Sequence, residues 1–376
     1  MSGNKYTGRK QGESHTTAIV VLTLIVIVAI VAALIVWLND GGFSSSENED
    51  DSSNETSLVD ETSLETETET ETEDPEAAAL AAAQEESEEK LSALETELNT
   101  FLETADGTYG IYIQDLSTGC ELEINNEQVY AASLIKLFVM ESTYENMETI
   151  VEYDVAYTYD EDYTREKIDT LLTNMITASD NESYNELVRM HSSSQSFTEG
   201  CLYIEENLIE PNYPNTGIYH TLHPSNSEYE NTSDGSNYTS AEDCGHLLAD
   251  IYNGTCVSEE ASEEMLELLL AQERTTKIPA GVPDDVTVAN KTGETDDVQH
   301  DAAIVFGEDR DYVIVVTSYD FESSSNAVTN ITEISSMTYE ALNGSDDETT
   351  TDESSESTEE TEESTEEVVD EAEEEV

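Results

Sequence analysis

The sequence predicts a membrane-anchored α/β domain of the α+β type, in which a helical lobe is inserted into one mainly antiparallel sheet. Strand-like segments occur near both ends of the domain, at 108–124 and 286–319, and helical segments fill 133–272 between them. A long uncharged run lies upstream, at 16–38. These three observations place a single folded unit after a hydrophobic anchor.

The run from Thr16 to Leu38 contains no charged residue, and at about 1.5 Å per residue it is long enough to cross a hydrocarbon core of about 30 Å. A cleavable signal peptide has a shorter apolar region that ends in small residues, whereas this run ends in Trp37 and Leu38. We therefore expect an uncleaved signal anchor.

The charges around this helix predict its orientation. Lys5, Arg9 and Lys10 precede it and acidic residues follow it, so residues 1–15 are expected in the cytoplasm and the remainder of the chain outside. The expected location is the cell membrane, with a single pass and an extracellular folded domain.

The composition is strongly acidic, with 12 Lys+Arg against 87 Asp+Glu and a formal net charge of -75. Such a chain repels phosphates, which excludes a nucleic-acid binder. Residues 39–76 and 346–376 are mostly Glu, Asp, Thr and Ser, and they contain too little apolar surface to offset the cost of ordering. We expect a disordered linker and a disordered tail on either side of a folded domain at 77–345, and we expect that domain to be monomeric.

The elements of the domain follow from local patterns. Pro75 opens an Ala/Glu/Leu-rich helix that runs to about Thr104. Two alternating segments joined by Ser-Thr-Gly predict a β-hairpin, and three further strands with short turns precede a last helix. The segments in order are 108–116 and 120–124 for the hairpin, then 286–293, 300–307 and 311–319 for the strands, and 322–343 for the helix. A loop rich in Pro, Asn, Ser and Tyr interrupts the helical region at about 210–238.

Four cysteines lie on the expected outer side, where disulfides persist: Cys120, Cys201, Cys244 and Cys256. Four cysteines allow three connectivities, and Cys244 with Cys256 is the best local pair. There is no C-x-x-C spacing, and His220 and His223 have no clustered third ligand, so we expect no metal and no cofactor.

The first chemical motif is Ser133-Leu-Ile-Lys136, which lies within the apolar segment YAASLIKLFVM. A spacing of three puts both side chains on one helix face, and burial would lower the pKa of the lysine enough for it to accept the serine proton. Taken alone, the motif could also be a snorkelling lysine beside an ordinary serine. A second match, Ser87 to Lys90, lies in an acidic stretch that we interpret as an exposed helix face.

Two further motifs favour the catalytic interpretation over the snorkelling lysine. They are Ser179-Asp180-Asn181, and Lys291-Thr292-Gly293 at the end of a predicted strand. Together with Ser133-x-x-Lys136, in this order, they are the set found in class A β-lactamases and penicillin-binding proteins. Residues from about 85 to 343 resemble class A β-lactamase-like serine hydrolases, and Asn237-Tyr-Thr-Ser-Ala-Glu-Asp243 is similar to the segment that opens the helix after the family's omega loop. The resemblance implies a five-stranded antiparallel sheet flanked by helices, plus an all-helical lobe.

For catalysis, the resemblance implies Ser133 as the nucleophile, Lys136 as its base and Ser179 as the relay that passes the proton to the leaving nitrogen. The backbone N–H groups of Ser133 and Glu294 would form the oxyanion hole. Asp180 would brace its loop.

For substrate binding, the resemblance implies Asn181 as the partner of the substrate amide and of Lys136. Lys291 and Thr292 would bind the substrate carboxylate, and Gly293 would leave room along the strand edge. The implied partner is a β-lactam or a D-Ala-D-Ala-like peptide.

The sequence departs from the class A pattern in one respect. Class A enzymes activate the deacylating water with a Glu in an E-x-x-x-N pattern, and no Glu is followed by Asn at that spacing between Asn181 and Asn237. Glu228 and Glu230 lie in the corresponding loop. We expect a serine hydrolase that β-lactams acylate at Ser133 and that hydrolyses the β-lactam amide, with two alternatives: a D,D-peptidase acting on peptidoglycan peptides, and a penicillin-binding sensor or wall-attachment module without turnover.

Overall fold

The computed structural model describes residues 75–222, 232 and 235–344. The predicted membrane span at 16–38, the linker as far as Asp74, the tail after Gly344 and the two loop glutamates Glu228 and Glu230 lie outside these residues. Among the residues described, none of the helices combines the length and the hydropathy needed to cross a membrane.

A five-stranded antiparallel sheet forms the centre of the fold, in the order β2-β1-β7-β6-β5. This confirms the sheet that the sequence predicted, including the hairpin and the three late strands. A separate two-stranded ladder joins β3 to β4. The strands are β1 Thr108–Asp115, β2 Glu121–Ile124, β3 Val129–Tyr130, β4 Tyr238–Thr239, β5 Thr287–Glu294, β6 Gln299–Phe306 and β7 Tyr312–Tyr319.

The helices alternate with short turns, and most of the longer ones begin at a side chain that caps the first free N–H groups. Asp160, Asp180, Ser196, Ser240 and Ser258 each accept a hydrogen bond from the backbone N–H three residues later. The longer helices are α1 Pro75–Leu102, α2 Ile135–Glu145, α3 Met147–Thr158, α4 Glu161–Thr177, α5 Asn181–Met190, α6 Phe197–Ile204, α7 Ala241–Tyr252, α8 Glu259–Leu270 and α9 Ser324–Asn343.

Helices cover both faces of the sheet, which explains why β6 and β7 are buried along nearly their whole length. On one face α1 and α9 pack through residues such as Leu94, Leu98 and Ile334. On the other face α7 lies against the sheet and the remaining helices form a second apolar core around α2. The nucleophile candidate lies at the junction between this helical region and the sheet.

Gly245 sets the distance between α7 and the sheet. A Cβ atom at this position would lie 2.1 Å from the ring of Tyr112 on β1. Only glycine therefore lets the helix approach this closely.

Two expectations from the sequence are wrong. All four cysteines are free thiols, including the Cys244 and Cys256 pair, and burial raises the pKa of the Cys244 thiol to about 12. Ser87 is fully buried rather than on an exposed face, because its hydroxyl donates to Asp115 Oδ2 at 2.7 Å and Asp115 in turn binds Arg310.

Candidate active site

Ser133 lies in a tight turn that packs against the neighbouring strands β5 and β6. The turn is a short 3₁₀ helix, Ala132–Leu134, which runs directly into α2. Ala132 has a φ of 45°, a left-handed conformation that a residue with a Cβ rarely adopts. The strained turn places Ser133 at the N-terminal end of a buried helix.

Lys136 is fully buried one turn further along, and its Nζ atom lies at the centre of a hydrogen-bond cluster. It donates to Ser133 Oγ at 3.1 Å, to the Ser179 carbonyl at 2.6 Å and to Asn181 Oδ1 at 2.8 Å. Burial lowers the pKa of Lys136 to about 7, against the opposing effect of Asp180. Near neutral pH the side chain can therefore both accept and give up a proton.

The Ser179-Asp180-Asn181 turn brings the second motif to this lysine. Ser179 has a φ of 60°, and Asp180 caps α5 by accepting from the N–H and the hydroxyl of Ser183 at 2.6 and 2.7 Å. The carboxylate of Asp180 thus stabilises the turn, whereas Ser179 and Asn181 accept hydrogen bonds from Lys136.

Lys291 on β5 approaches the same serine from the sheet. Its Nζ atom lies 2.9 Å from Ser179 Oγ, and Lys136 Nζ lies 3.1 Å from the same oxygen. Burial and the neighbouring Lys136 lower the pKa of Lys291 well below its ordinary value. Ser179 therefore bridges the two lysines, and the structure joins five of the predicted residues in one hydrogen-bonded cluster: Ser133, Lys136, Ser179, Asn181 and Lys291.

The next residues of β5 run past the nucleophile turn. Thr292 Oγ1 is buried and has no hydrogen-bond partner in the described part of the chain. A Cβ on Gly293 would lie 3.2 Å from both the Ala131 carbonyl and the Leu134 nitrogen. Glycine thus allows the strand to pass close to the turn, and Thr292 presents a hydroxyl that lacks the partner a buried polar group normally has.

Glu294, at the end of β5, binds two cations that the sequence analysis did not single out. Its carboxylate contacts Arg274 and lies 3.2 Å from the buried Lys277 Nζ. Although burial opposes it, the effect of Lys277 and Arg274 is to lower the pKa of Glu294. Arg274 and Lys277 thus lie near the two buried lysines, Lys136 and Lys291.

Asp301 on β6 was also missed. It is fully buried, accepts from Ile278 N at 3.0 Å and from Asn290 Nδ2 at 2.8 Å, and burial raises its pKa to about 6. No motif marks these groups. The only available signal was that Arg274 and Lys277 are two of very few cations in the domain and stand three residues apart.

Asn237 hydrogen-bonds to residues on the N-terminal side of the long loop and to the segment before Ser133. Its side-chain oxygen accepts from the N–H groups of Tyr219 and His220, and its carbonyl accepts from the Ala131 N–H at 3.0 Å. His220 is buried in this framework. Within 75–222, 232 and 235–344, no three His, Cys, Asp or Glu side chains are grouped to hold a metal ion.

Comparison with known proteins identifies the family. The model of the β-lactamase enzyme family matches residues 93–342. The chain belongs to this family. It is therefore a serine hydrolase that works through an acyl-enzyme.

The fold is also similar to solved structures. PBP-A is 21% identical with a TM-score of 0.53, covering 66% of this chain and 95% of its own. A variant of PBP-A, solved as its acyl-enzyme complex with penicillin G, is 21% identical with a TM-score of 0.52, covering 66% and 96%. The TLA-1 extended-spectrum β-lactamase is 16% identical with a TM-score of 0.53, covering 67% and 98%. No curated protein matches the chain.

Proposed function

We propose that Ser133 is the nucleophile of a penicillin-binding serine enzyme, which β-lactams and D-Ala-D-Ala-like peptides acylate. One observation carries this proposal: Lys136 Nζ is fully buried, has a pKa lowered to about 7, and lies 3.1 Å from Ser133 Oγ. A neutral amine at this distance accepts the hydroxyl proton as the oxygen attacks the carbonyl carbon.

The remaining cluster supplies the other steps of acylation. The backbone N–H groups of Ser133 and Glu294 stabilise the oxyanion, and Ser179 delivers the proton to the nitrogen that leaves. Ser179 suits this relay because its hydroxyl lies within 3.1 Å of Lys136 and 2.9 Å of Lys291. The products are an ester on Ser133 and a neutral amine, which leaves from a peptide and stays attached to the opened ring of a β-lactam.

Substrate capture depends on the last residues of β5 and on Asn181. Lys291 and the unpartnered Thr292 hydroxyl bind the carboxylate that penicillins and peptide C-termini share, while Asn181 binds the substrate amide. The buried Thr292 Oγ1, which has no partner among the described residues, supports this assignment, because a buried hydroxyl without a protein partner is suited to a ligand acceptor.

We place the enzyme closer to a D,D-peptidase than to a β-lactamase. Asp180 raises the pKa of Lys136 against the effect of burial, and its carboxylate already caps α5. Because no Glu in the E-x-x-x-N pattern lies between Asn181 and Asn237, we expect the penicilloyl ester to persist. The likeness to PBP-A, a variant of which carries penicillin G as an acyl-enzyme, supports this choice.

The second candidate is β-lactam hydrolysis, as in the TLA-1 β-lactamase that shares the fold. It requires a general base from outside the described residues, and the carboxylates in the undescribed part of that loop are Glu228, Glu230 and Asp234. For either function we propose a monomer tethered by the helix at 16–38, with the enzyme domain outside the cell, as the flanking charges of that segment favour.

Intact-mass analysis of the full chain with penicillin G tests the proposal. We expect one penicilloyl group per chain, and we expect this adduct to last much longer than the turnover time of a β-lactamase. The matched variant Ser133→Ala should form no adduct. Rapid loss of free penicillin without a lasting adduct would favour hydrolysis, and labelling that survives Ser133→Ala would contradict the assignment of the nucleophile.

A further inference from the structure

We propose that His300 is a positioning residue whose imidazole ties the turn carrying Ser133 to the central sheet. This inference rests on the proposed role of Ser133 as the nucleophile. The ring of His300 is hydrogen-bonded to Tyr130 and Ser318 rather than to Ser133 or Lys136, and it acts through the backbone of Tyr130, three residues before the nucleophile.

The ring of His300 is a buried bridge between two backbone groups. Ser318 N on β7 donates to Nδ1 at 3.1 Å, and the Tyr130 carbonyl lies 2.9 Å from Nε2. The first partner can only donate and the second can only accept, so the neutral tautomer with its proton on Nε2 is the form that satisfies both. The ring therefore connects the interior of the sheet to the end of β3.

The position of His300 on β6 strengthens this connection. It is the register partner of Gly293, and Gly293 is the residue whose missing Cβ lets β5 approach the Ala131 carbonyl and the Leu134 nitrogen. The same paired strands thus touch the nucleophile turn at two points, by close packing at Gly293 and by a hydrogen bond at His300.

The turn needs such restraint because it is strained. Ala132, with a φ of 45°, lies between the restrained Tyr130 and the nucleophile. A residue in this conformation relaxes to a commoner one when its surroundings release it. Relaxation would move Ser133 Oγ away from Lys136 Nζ and rotate the Ser133 N–H out of the oxyanion hole.

A second buried histidine serves as a matched control. His191 lies in the helical region, with Nδ1 2.9 Å from the Leu187 carbonyl and Nε2 2.9 Å from Ser142 Oγ. It is nearly as buried as His300 and also makes two hydrogen bonds, but both of them stay within the helical region, away from β3. A purely structural histidine is expected to behave like His191.

Two substitutions separate the two hydrogen bonds of His300. Glutamine places its amide near the position of Nε2, so His300→Gln keeps a donor for the Tyr130 carbonyl. Asparagine reaches only the position of Nδ1, so His300→Asn keeps the acceptor for Ser318 N and loses the link to the turn. We expect His300→Gln to be acylated by penicillin G at close to the wild-type rate. We expect His300→Asn to fall by about 10- to 100-fold, the range that a displacement of about 1 Å produces.

The rate constant for adduct formation in the full chain, measured over a range of penicillin G concentrations, provides the readout. His300→Asn should lower the limiting rate while leaving half-saturation unchanged, because no substrate-binding group is displaced. His191→Asn should lower the melting temperature without lowering the limiting rate. The double variant Ala132→Gly, His300→Asn should recover part of the lost rate, since glycine adopts a positive φ without strain.

Equal rates for the Asn and Gln variants, or a wild-type rate for His300→Asn, would overturn the inference. If His300→Asn does not fold, His300→Gln still tests the inference. A folded Gln variant whose limiting acylation rate is more than about tenfold below that of the wild type would contradict the link through Tyr130. If the wild type forms no adduct, the proposed function itself is contradicted. If the wild type and His300→Asn form the adduct at equal rates, only the role of His300 is contradicted.

Discussion

At the scale of single residues, the active site depends on lysines that burial has made weak bases. Lys136 and Lys291 are both fully buried, and both have lowered pKa values. The sequence motif identified the two residues, but the cations at Arg274 and Lys277 and the acid at Asp301 came only with the structure. They are brought in by loop and sheet contacts between residues far apart in sequence, which no local spacing encodes.

The first residue-scale prediction is the pH dependence of acylation. Lys136 acts as a base only when neutral, and its pKa is about 7. Below pH 7 the rate of adduct formation should therefore fall about tenfold for each pH unit, and above pH 7 it should level off. Rates measured between about pH 5.5 and 8.5 check this expectation. A rate that stays flat through pH 7 would exclude Lys136 as the titrating base.

The second residue-scale prediction concerns the substitution Thr292→Val. Valine has nearly the shape of threonine, and Thr292 Oγ1 has no partner to lose in the described part of the chain. The melting temperature should stay the same or rise, because an unpaired buried hydroxyl is removed. Acylation by penicillin G should fall by roughly 10- to 100-fold, the value of a hydrogen bond of about 1.5–3 kcal/mol to a charged group. A loss of stability with unchanged acylation would assign Thr292 to the fold instead.

At the scale of the elements, the sequence predicted most of the architecture, because the strands and helices differ clearly in their apolar periodicity. The hairpin at 108–124 and the strands after 286 appear within a residue or two of their predicted bounds. The prediction that Ser87 lies on an exposed helix face was wrong for a physical reason. Its neighbours in sequence are acidic and solvent-facing, whereas its burial comes from Asp115 and Arg310, which lie elsewhere in the chain.

The packing of α7 on the sheet gives a prediction at this scale. Gly245→Ala would force the helix away from the buried Tyr112, so we expect a loss of about 1–3 kcal/mol in the free energy of unfolding. Gly119→Ala is the control, because Gly119 has a φ of 75° and a Cβ added there would meet no described atom within 4 Å, so it should lose only about 1 kcal/mol from backbone strain. Denaturant unfolding of both variants measures the difference. Equal losses would mean that the helix has room to shift.

At the scale of the whole molecule, two electrostatic fields of opposite sign act on an anionic substrate. The chain carries a formal net charge of -75, whereas Lys136, Arg274, Lys277 and Lys291 lie close together at the site. The excess of carboxylates repels penicillin G during its approach, whereas Arg274 and whichever of the three lysines are protonated attract it only at short range. Salt distinguishes these fields, since the screening length falls from about 30 Å at 0.01 M to about 3 Å at 1 M.

Because screening weakens the long-range repulsion more than the short-range attraction, acylation at low penicillin G concentration should become several-fold faster as salt rises. The rate at saturating penicillin G should change little, since binding is then complete. A zwitterionic penicillin such as ampicillin, with almost no net charge, should show a much smaller acceleration and serves as the control. If salt instead slows acylation by penicillin G, the local cations dominate the encounter and the acidic composition has no kinetic influence on anionic substrates.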